Sequence, residues 1–363
     1  MAAGDSYRTP CPRRMGTGGV CLSLSALLSQ AVHSPVLSLT CALVLAVVLV
    51  NGWTDAPNAI AAAVGAGALS FRRAALLAAA CNLLGALVMT AVNASVAETL
   101  YDMADFGSSP ADALPALCAA LCAIVVWATA AWRFGVPTSE SHALAAGLSG
   151  AALALPGGLS NLRPGPWGRI LLGLAGSLLL GWLAGAVCRR LAGCLRPSPS
   201  LCRRGQIAGA AVMAFLHGAQ DGQKFLGVFL LAASLAGGHT AGFAPEPGLT
   251  LLCAAVMALG TALGGRRIVE TVGRDMVRLG PAEGLAADLG GGLCLLFCTL
   301  AGLPVSTTHA KTAAILGAGA GGGVNRSVAG RIVRTWLWTF PGCGLLGFLL
   351  ASLFRSSPFC GII

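Results

Sequence analysis

Asn51-Gly-Trp-Thr-Asp55-Ala-Pro-Asn58 and His217-Gly-Ala-Gln-Asp221-Gly-Gln-Lys224 stand 166 residues apart in a chain of 363. A second pair of segments, Gly135-Val-Pro-Thr-Ser139-Glu-Ser-His142 and Gly302-Leu-Pro-Val-Ser306-Thr-Thr-His309, repeats at an offset of 167. Two separate motifs sharing one offset to within a residue mark an internal duplication. Both lie inside long apolar stretches. An aspartate in such a place costs several kcal/mol unless it faces a polar cavity or holds a cation.

The composition around these motifs says what solvent the chain faces. Hydrophobic residues make up 56% and charged residues only 10%, where a soluble domain carries about 25% charged residues. Mean hydropathy is +0.79. The 50 glycines suit close helix packing within a bilayer, where apolar surface alone gives helices no drive to associate. The net charge of +10 comes from short arginine clusters between apolar runs. That placement excludes a nucleic-acid-binding face and reads as a topology signal. The 14 cysteines are scattered through apolar segments without a CxxC pair and read as small buried hydrophobes rather than metal ligands.

Ten candidate spans follow from the apolar runs: 36–69 (interrupted), 74–97, 112–132, 139–155, 168–188, 207–235 (interrupted), 249–264, 285–302, 304–320 and 331–353. The segments after Pro137 and Pro304 are short enough to be re-entrant hairpins, so the expectation is about 10–12 membrane segments. With the N-terminus outside, fifteen arginines fall inside and six outside, which favours that orientation. Five spans per half is an odd number, so the second half enters from the opposite face. The predicted fold is therefore an all-α integral membrane protein, an inverted-repeat transporter with broken or re-entrant helices. Its parts are a poorly determined leader (1–34), a first repeat (35–188), an Arg-rich cytoplasmic linker (189–206), a second, inverted repeat (207–354) and a tail (355–363).

Gly52 and Pro57 in one copy, and Gly218 and Gly222 in the other, predict helices broken beside Asp55 and Asp221. Unpaired carbonyls next to a carboxylate make a site for Na⁺ or H⁺. Asn51, Asn58 and Gln220 join the two aspartates as candidate cation ligands. The other motif supplies the opposite chemistry. Pro137 and Pro304 suit a first helical turn, and the hydroxyls of Thr138, Ser139, Ser141, Ser306, Thr307 and Thr308 cap it or donate to a ligand. Two such N-termini facing each other would surround a tetrahedral oxyanion with donors. Lys224, on the helical face of Asp221, pairs with that aspartate or helps neutralise the anion, and Lys311 snorkels. His142 and His309 brace backbone carbonyls, ligate metal or relay protons.

These residues resemble the PiT family of inorganic phosphate transporters. The resemblance rests on Gly52-Trp-Thr-Asp55-Ala-Pro-Asn58-Ala59, on Gly218-Ala-Gln-Asp221, on Pro304-Val-Ser-Thr-Thr-His309 and on Gly264-Gly-Arg-Arg-Ile-Val-Glu-Thr-Val-Gly273. It covers about residues 36–354. It implies inorganic phosphate as substrate, symport with Na⁺ or H⁺ and no other cofactor, a cell-membrane location and a homodimer. Thr54 and Gln220 stand where the family has asparagine, and Ser139-Glu140-Ser141 replaces Ser-Thr-Thr. These departures leave the coupling ion open and keep sulfate as an alternative. An intramembrane Ser/His hydrolase needs only one copy of its dyad, so the duplication argues against it and no enzyme activity is expected.

Overall fold

The computed structural model describes residues 23–107, 110–237, 243, 245–277, 279–320 and 323–356. Most of the leader, most of the tail, and Arg8, Arg13, Arg14 and Arg278 of the orientation argument lie outside the described residues. The described chain is helical. In order come α1 (Leu24–His33), α2 (Pro35–Thr54), α3 (Pro57–Gly65), α4 (Phe71–Val92), α5 (Ser95–Tyr101), α6 (Pro110–Arg133) and α7 (Glu140–Leu153). There follow α8 (Pro164–Leu195), α9 (Pro199–Ala236), α10 (Pro247–Leu263), α11 (Arg266–Glu270), α12 (Pro281–Leu300), α13 (Thr307–Ala318) and α14 (Arg326–Ser356).

Six of these stretches are long and apolar enough to cross a membrane, and α10 with the segment after it, bent by 67°, makes a seventh. The three other segments expected from the sequence are α7, α13 and α9. α7 and α13 have 14 and 12 residues. At 1.5 Å per residue they rise only about 20 Å, short of a hydrocarbon layer of ~30 Å. α9 is long, but His217, Gln220, Asp221, Gln223 and Lys224 make its middle polar, which the bundle can hold because protein surrounds it: every residue from Leu216 to Leu235 is buried. The lipid-facing helices show the reverse. Leu171, Leu172, Leu179 and Leu183 on α8, and Leu337, Trp338, Leu345 and Leu349 on α14, are exposed. A soluble monomer does not carry apolar faces of that extent. This is a multi-pass membrane protein.

The first motif breaks its helix as expected. Pro57 has no N–H to give the Trp53 carbonyl. The next N–H, that of Asn58, turns back to the Asp55 carbonyl at 2.9 Å. The second copy does not break, and here the structure corrects the sequence reading: α9 runs through Asp221 uninterrupted. Gln223 stands where the first copy has Pro57, keeps its N–H, and leaves the i→i−4 ladder whole. Gly218 serves packing instead, since a Cβ there would stand 2.1 Å from the Asn82 carbonyl oxygen of α4.

The two short helices are seated on long helices from the other half of the sequence. α7 crosses α14 where a Cβ on Gly150 would come 2.0 Å from the Gly344 carbonyl oxygen. α13 crosses α8 where a Cβ on Gly317 would come 2.1 Å from the Trp182 carbonyl oxygen. Part of the leader belongs to this body, because Leu27 and Ala31 of α1 are buried. Lys311 is a second correction. It does not snorkel: enclosed between α8 and α12, it is fully buried and ion-paired with Asp288 of α12. No route leads its ammonium to an interface, and a carboxylate lies one helix away.

Candidate functional site

Pro137 and Pro304 each precede an extended serine that caps a short helix. Ser139 (φ −102°, ψ 108°) accepts the His142 N–H at 3.3 Å, and Ser306 (φ −83°, ψ 114°) accepts the His309 N–H at 3.2 Å. Ser139 Oγ in turn donates to Ser306 Oγ at 2.8 Å. The N-termini of α7 and α13 therefore meet in the interior, each with first-turn N–H groups that no helical carbonyl can satisfy. Both positive dipole ends point at one place. Hydroxyls cross between the two: Ser141 Oγ donates to the Val305 carbonyl at 3.1 Å, and Thr308 Oγ1 lies 3.2 Å from the Thr138 carbonyl. Thr138 Oγ1 is 3.1 Å from Thr339 Oγ1 of α14.

The aspartates close on the same centre. Asp55 accepts from Thr307 Oγ1 at 3.1 Å, from Thr308 Oγ1, and from Asn58 Nδ2 at 2.9 Å. Asp221 accepts from Asn51 Nδ2 at 3.0 Å and from Lys224 Nζ at 2.5 Å. Lys224 also donates to Ser141 Oγ at 2.7 Å and to the Val305 carbonyl at 2.6 Å. Gln220 braces the turn before α13, with its Nε2 2.9 Å from Thr299 Oγ1 and 3.2 Å from the Leu303 carbonyl. All twelve candidate cation- and anion-site residues are buried, and the hydroxyl and aspartate groups form one centre rather than two. A cavity of about 10 Å³ adjoins it, lined by Ser141, Lys224 and Pro304 among others.

Three members were not assigned a role from the sequence. His217, the counterpart of Asn51, places Nε2 3.3 Å from Asp221 Oδ2, and its Nδ1 is 3.1 Å from Asn82 Oδ1. Asp55, His217 and Asp221 offer ligand atoms within 4.8 Å of one another, close enough to share a metal ion. Glu140 is buried, accepts from Thr54 Oγ1 at 2.9 Å through Oε1, and leaves Oε2 without a partner. Gln223 is buried with neither amide atom bonded to another side chain or backbone group. The offset could have found His217, which aligns with a candidate ligand. Glu140 stood in the open as the one acid in a hydroxyl motif. His142 and His309 pack edge to face, ring centroids 4.5 Å apart; His309 Nδ1 reaches the Leu174 carbonyl at 3.5 Å, the contact bracing predicts, whereas His142 Nδ1 is buried without a partner.

A lipid-faced helix bundle whose buried centre joins two facing helix N-termini to intramembrane carboxylates, next to a broken helix, is the build of a membrane transporter. The chain belongs to the phosphate transporter family, whose model matches residues 51–199 and 195–347. It is 36% identical over 309 residues to a Mycobacterium bovis protein described as a probable low-affinity inorganic phosphate transporter, covering 82% of this chain and 72% of that protein. A Bacillus subtilis protein of the same description is 33% identical over 318 residues, covering 84% and 94%. A solved structure, "The sodium-dependent phosphate transporter", matches 89% of this chain and 99% of its own, with a TM-score of 0.80 at 22% identity. That likeness establishes the fold.

Proposed function

We propose that this protein carries inorganic phosphate across the cell membrane by symport with a cation, Na⁺ or H⁺. The observation that carries the reading is the abutment of the α7 and α13 N-termini at Ser139 and Ser306 beside Asp55 and Asp221. First-turn N–H groups from both sides suit the several oxygens of a tetrahedral anion. Thr138, Ser139, Ser141, Ser306, Thr307 and Thr308 supply hydroxyl donors. Bringing phosphate next to two carboxylates calls for a cation beside them, and its site is Asp55 with Asn58, since Asp221 is already met by Lys224 and Asn51 while Gln220, expected as a ligand, is turned to Thr299 and Leu303 instead. The described relatives support phosphate as the substrate, and the name of the solved structure speaks for sodium.

The two halves act as inverted repeats about an axis in the membrane plane. Ser139 and Ser306 are equivalent residues in direct contact, which is what a two-fold axis passing between them produces. The test is uptake of labelled phosphate and labelled sulfate into proteoliposomes, with sodium and pH gradients imposed separately. Accumulation of phosphate under one gradient is the expected result. Sulfate accumulation without phosphate would replace the substrate, and equilibration without accumulation would remove the coupling.

A further inference from the structure

The duplication allows the oxygens around the two aspartates to be compared one for one. In the second half, Asp221 Oδ1, Ser141 Oγ and the Val305 carbonyl surround Lys224 Nζ at 2.5, 2.7 and 2.6 Å. By the repeat offset their counterparts are Asp55 Oδ1, Thr308 Oγ1 and the Thr138 carbonyl. Those three are also together, since Thr308 Oγ1 bonds Asp55 Oδ1 and lies 3.2 Å from the Thr138 carbonyl. A carboxylate, a hydroxyl and a backbone carbonyl are the oxygen donors a hard monovalent cation takes. In one half an ammonium sits among them. In the other the residue at the lysine position is Asn58, a neutral amide whose Nδ2 donates to Asp55 Oδ1 at 2.9 Å and lies 3.4 Å from Thr308 Oγ1, so no fixed positive charge faces these oxygens, and its buried Oδ1 has no partner.

We propose that Lys224 is a tethered cation filling the second of two equivalent cation sites, so that this protein binds one mobile coupling cation, at Asp55, rather than two. The inference rests on the cation-symport reading. All three ammonium N–H groups are spent on protein oxygens, the residue is 1% exposed, and the uninterrupted α9 holds it in place. An ammonium has three donors and no acceptor, so in this arrangement none is left for an anion. The lysine supplies the charge that a second ion would bring, without the ion having to be captured or released.

The test is equilibrium binding of radioactive sodium to the purified full-length protein, which does not depend on transport. Wild type is expected to bind one sodium per chain, and Lys224→Asn, which copies the first half, two. Asn58→Lys, which copies the second half, is expected to bind none, and it decides the matter if Lys224→Asn does not fold. Equal counts in wild type and Lys224→Asn, or an unchanged count in Asn58→Lys, would overturn the proposal. So would a Lys224→Asn variant that loses phosphate affinity with no added sodium, because the lysine would then serve the anion directly. If wild-type vesicles move no phosphate while the counts run one, two and none, the transport reading fails and this one stands.

Discussion

Around Asp55 the chain stops being helical; around Asp221 it does not. The first copy ends α2 with a proline, frees carbonyls, and surrounds its carboxylate with neutral donors from Asn58, Thr307 and Thr308. The second copy keeps its ladder and answers its carboxylate with Lys224. The same split appears deeper in the bundle. Asp288 and Lys311 form a buried ion pair, while the offset places Leu121 and Leu144 at the corresponding buried positions of the first half. One half is therefore neutralised by its own side chains, and the other is left to be neutralised by something that comes and goes. Symmetry of sequence does not carry over into symmetry of charge.

That contrast breaks most sharply at the aspartates. Asp55→Asn keeps the shape and strands no fixed cation, so it is expected to fold like wild type and to lose concentrative phosphate uptake entirely. Asp221→Asn leaves Lys224 buried beside a neutral amide. Removing one partner of a buried ion pair costs about 3–5 kcal/mol. This variant should lose uptake and also unfold at a clearly lower temperature in detergent. Equal thermal stability of the two variants would mean that the halves handle their charge alike.

The Asp288–Lys311 pair sharpens the comparison without touching the site. Lys311→Leu alone is expected to destabilise by about 3–5 kcal/mol, because Asp288 is left uncompensated. Asp288→Leu combined with Lys311→Leu copies the first half, and apolar replacement of a buried pair is often neutral or stabilising by about 1–4 kcal/mol. Denaturation of both variants in the same micelles reads the difference. If the double variant is as damaged as the single one, the pair is needed for more than its own neutrality.

The smallest expected effect falls where the halves are most alike. Ser139→Ala and Ser306→Ala each remove a helix cap and a donor at the proposed anion site. Losing one donor to a charged ligand costs about 1.5–3 kcal/mol, roughly 10- to 150-fold in affinity. Phosphate binding should weaken by similar factors in both. A silent serine opposite an essential one would make the site one-sided.

Most of the centre was legible because each part occurs twice. A Pro-x-Ser turn is an ordinary cap and a buried aspartate is often structural, but neither is expected to recur at one offset by chance. What escaped the sequence is what neighbours decide. Gly218 and Gly222 beside an aspartate read as helix breakers, yet in a helix enclosed by protein a glycine records how closely another backbone approaches. The true breaker was Pro57, and its absence from the second copy was visible at Gln223. Lys311 looked like an interfacial residue because its partner lies in a different helix, 23 positions earlier. The role of Glu140 stayed hidden because its bond to Thr54 spans 86 residues.

The seating of α13 on α8 has a consequence for how the molecule is made. The glycine-lined face of α8 is cut to fit a backbone that is synthesised much later, after α9, α10 and α12. At about 5–20 residues per second, translation leaves that face without its partner for roughly ten seconds. During that time lipid, or an insertion factor of the host cell, must cover it. The first half is thus a waiting intermediate rather than a finished domain, and biogenesis cannot be completed one half at a time.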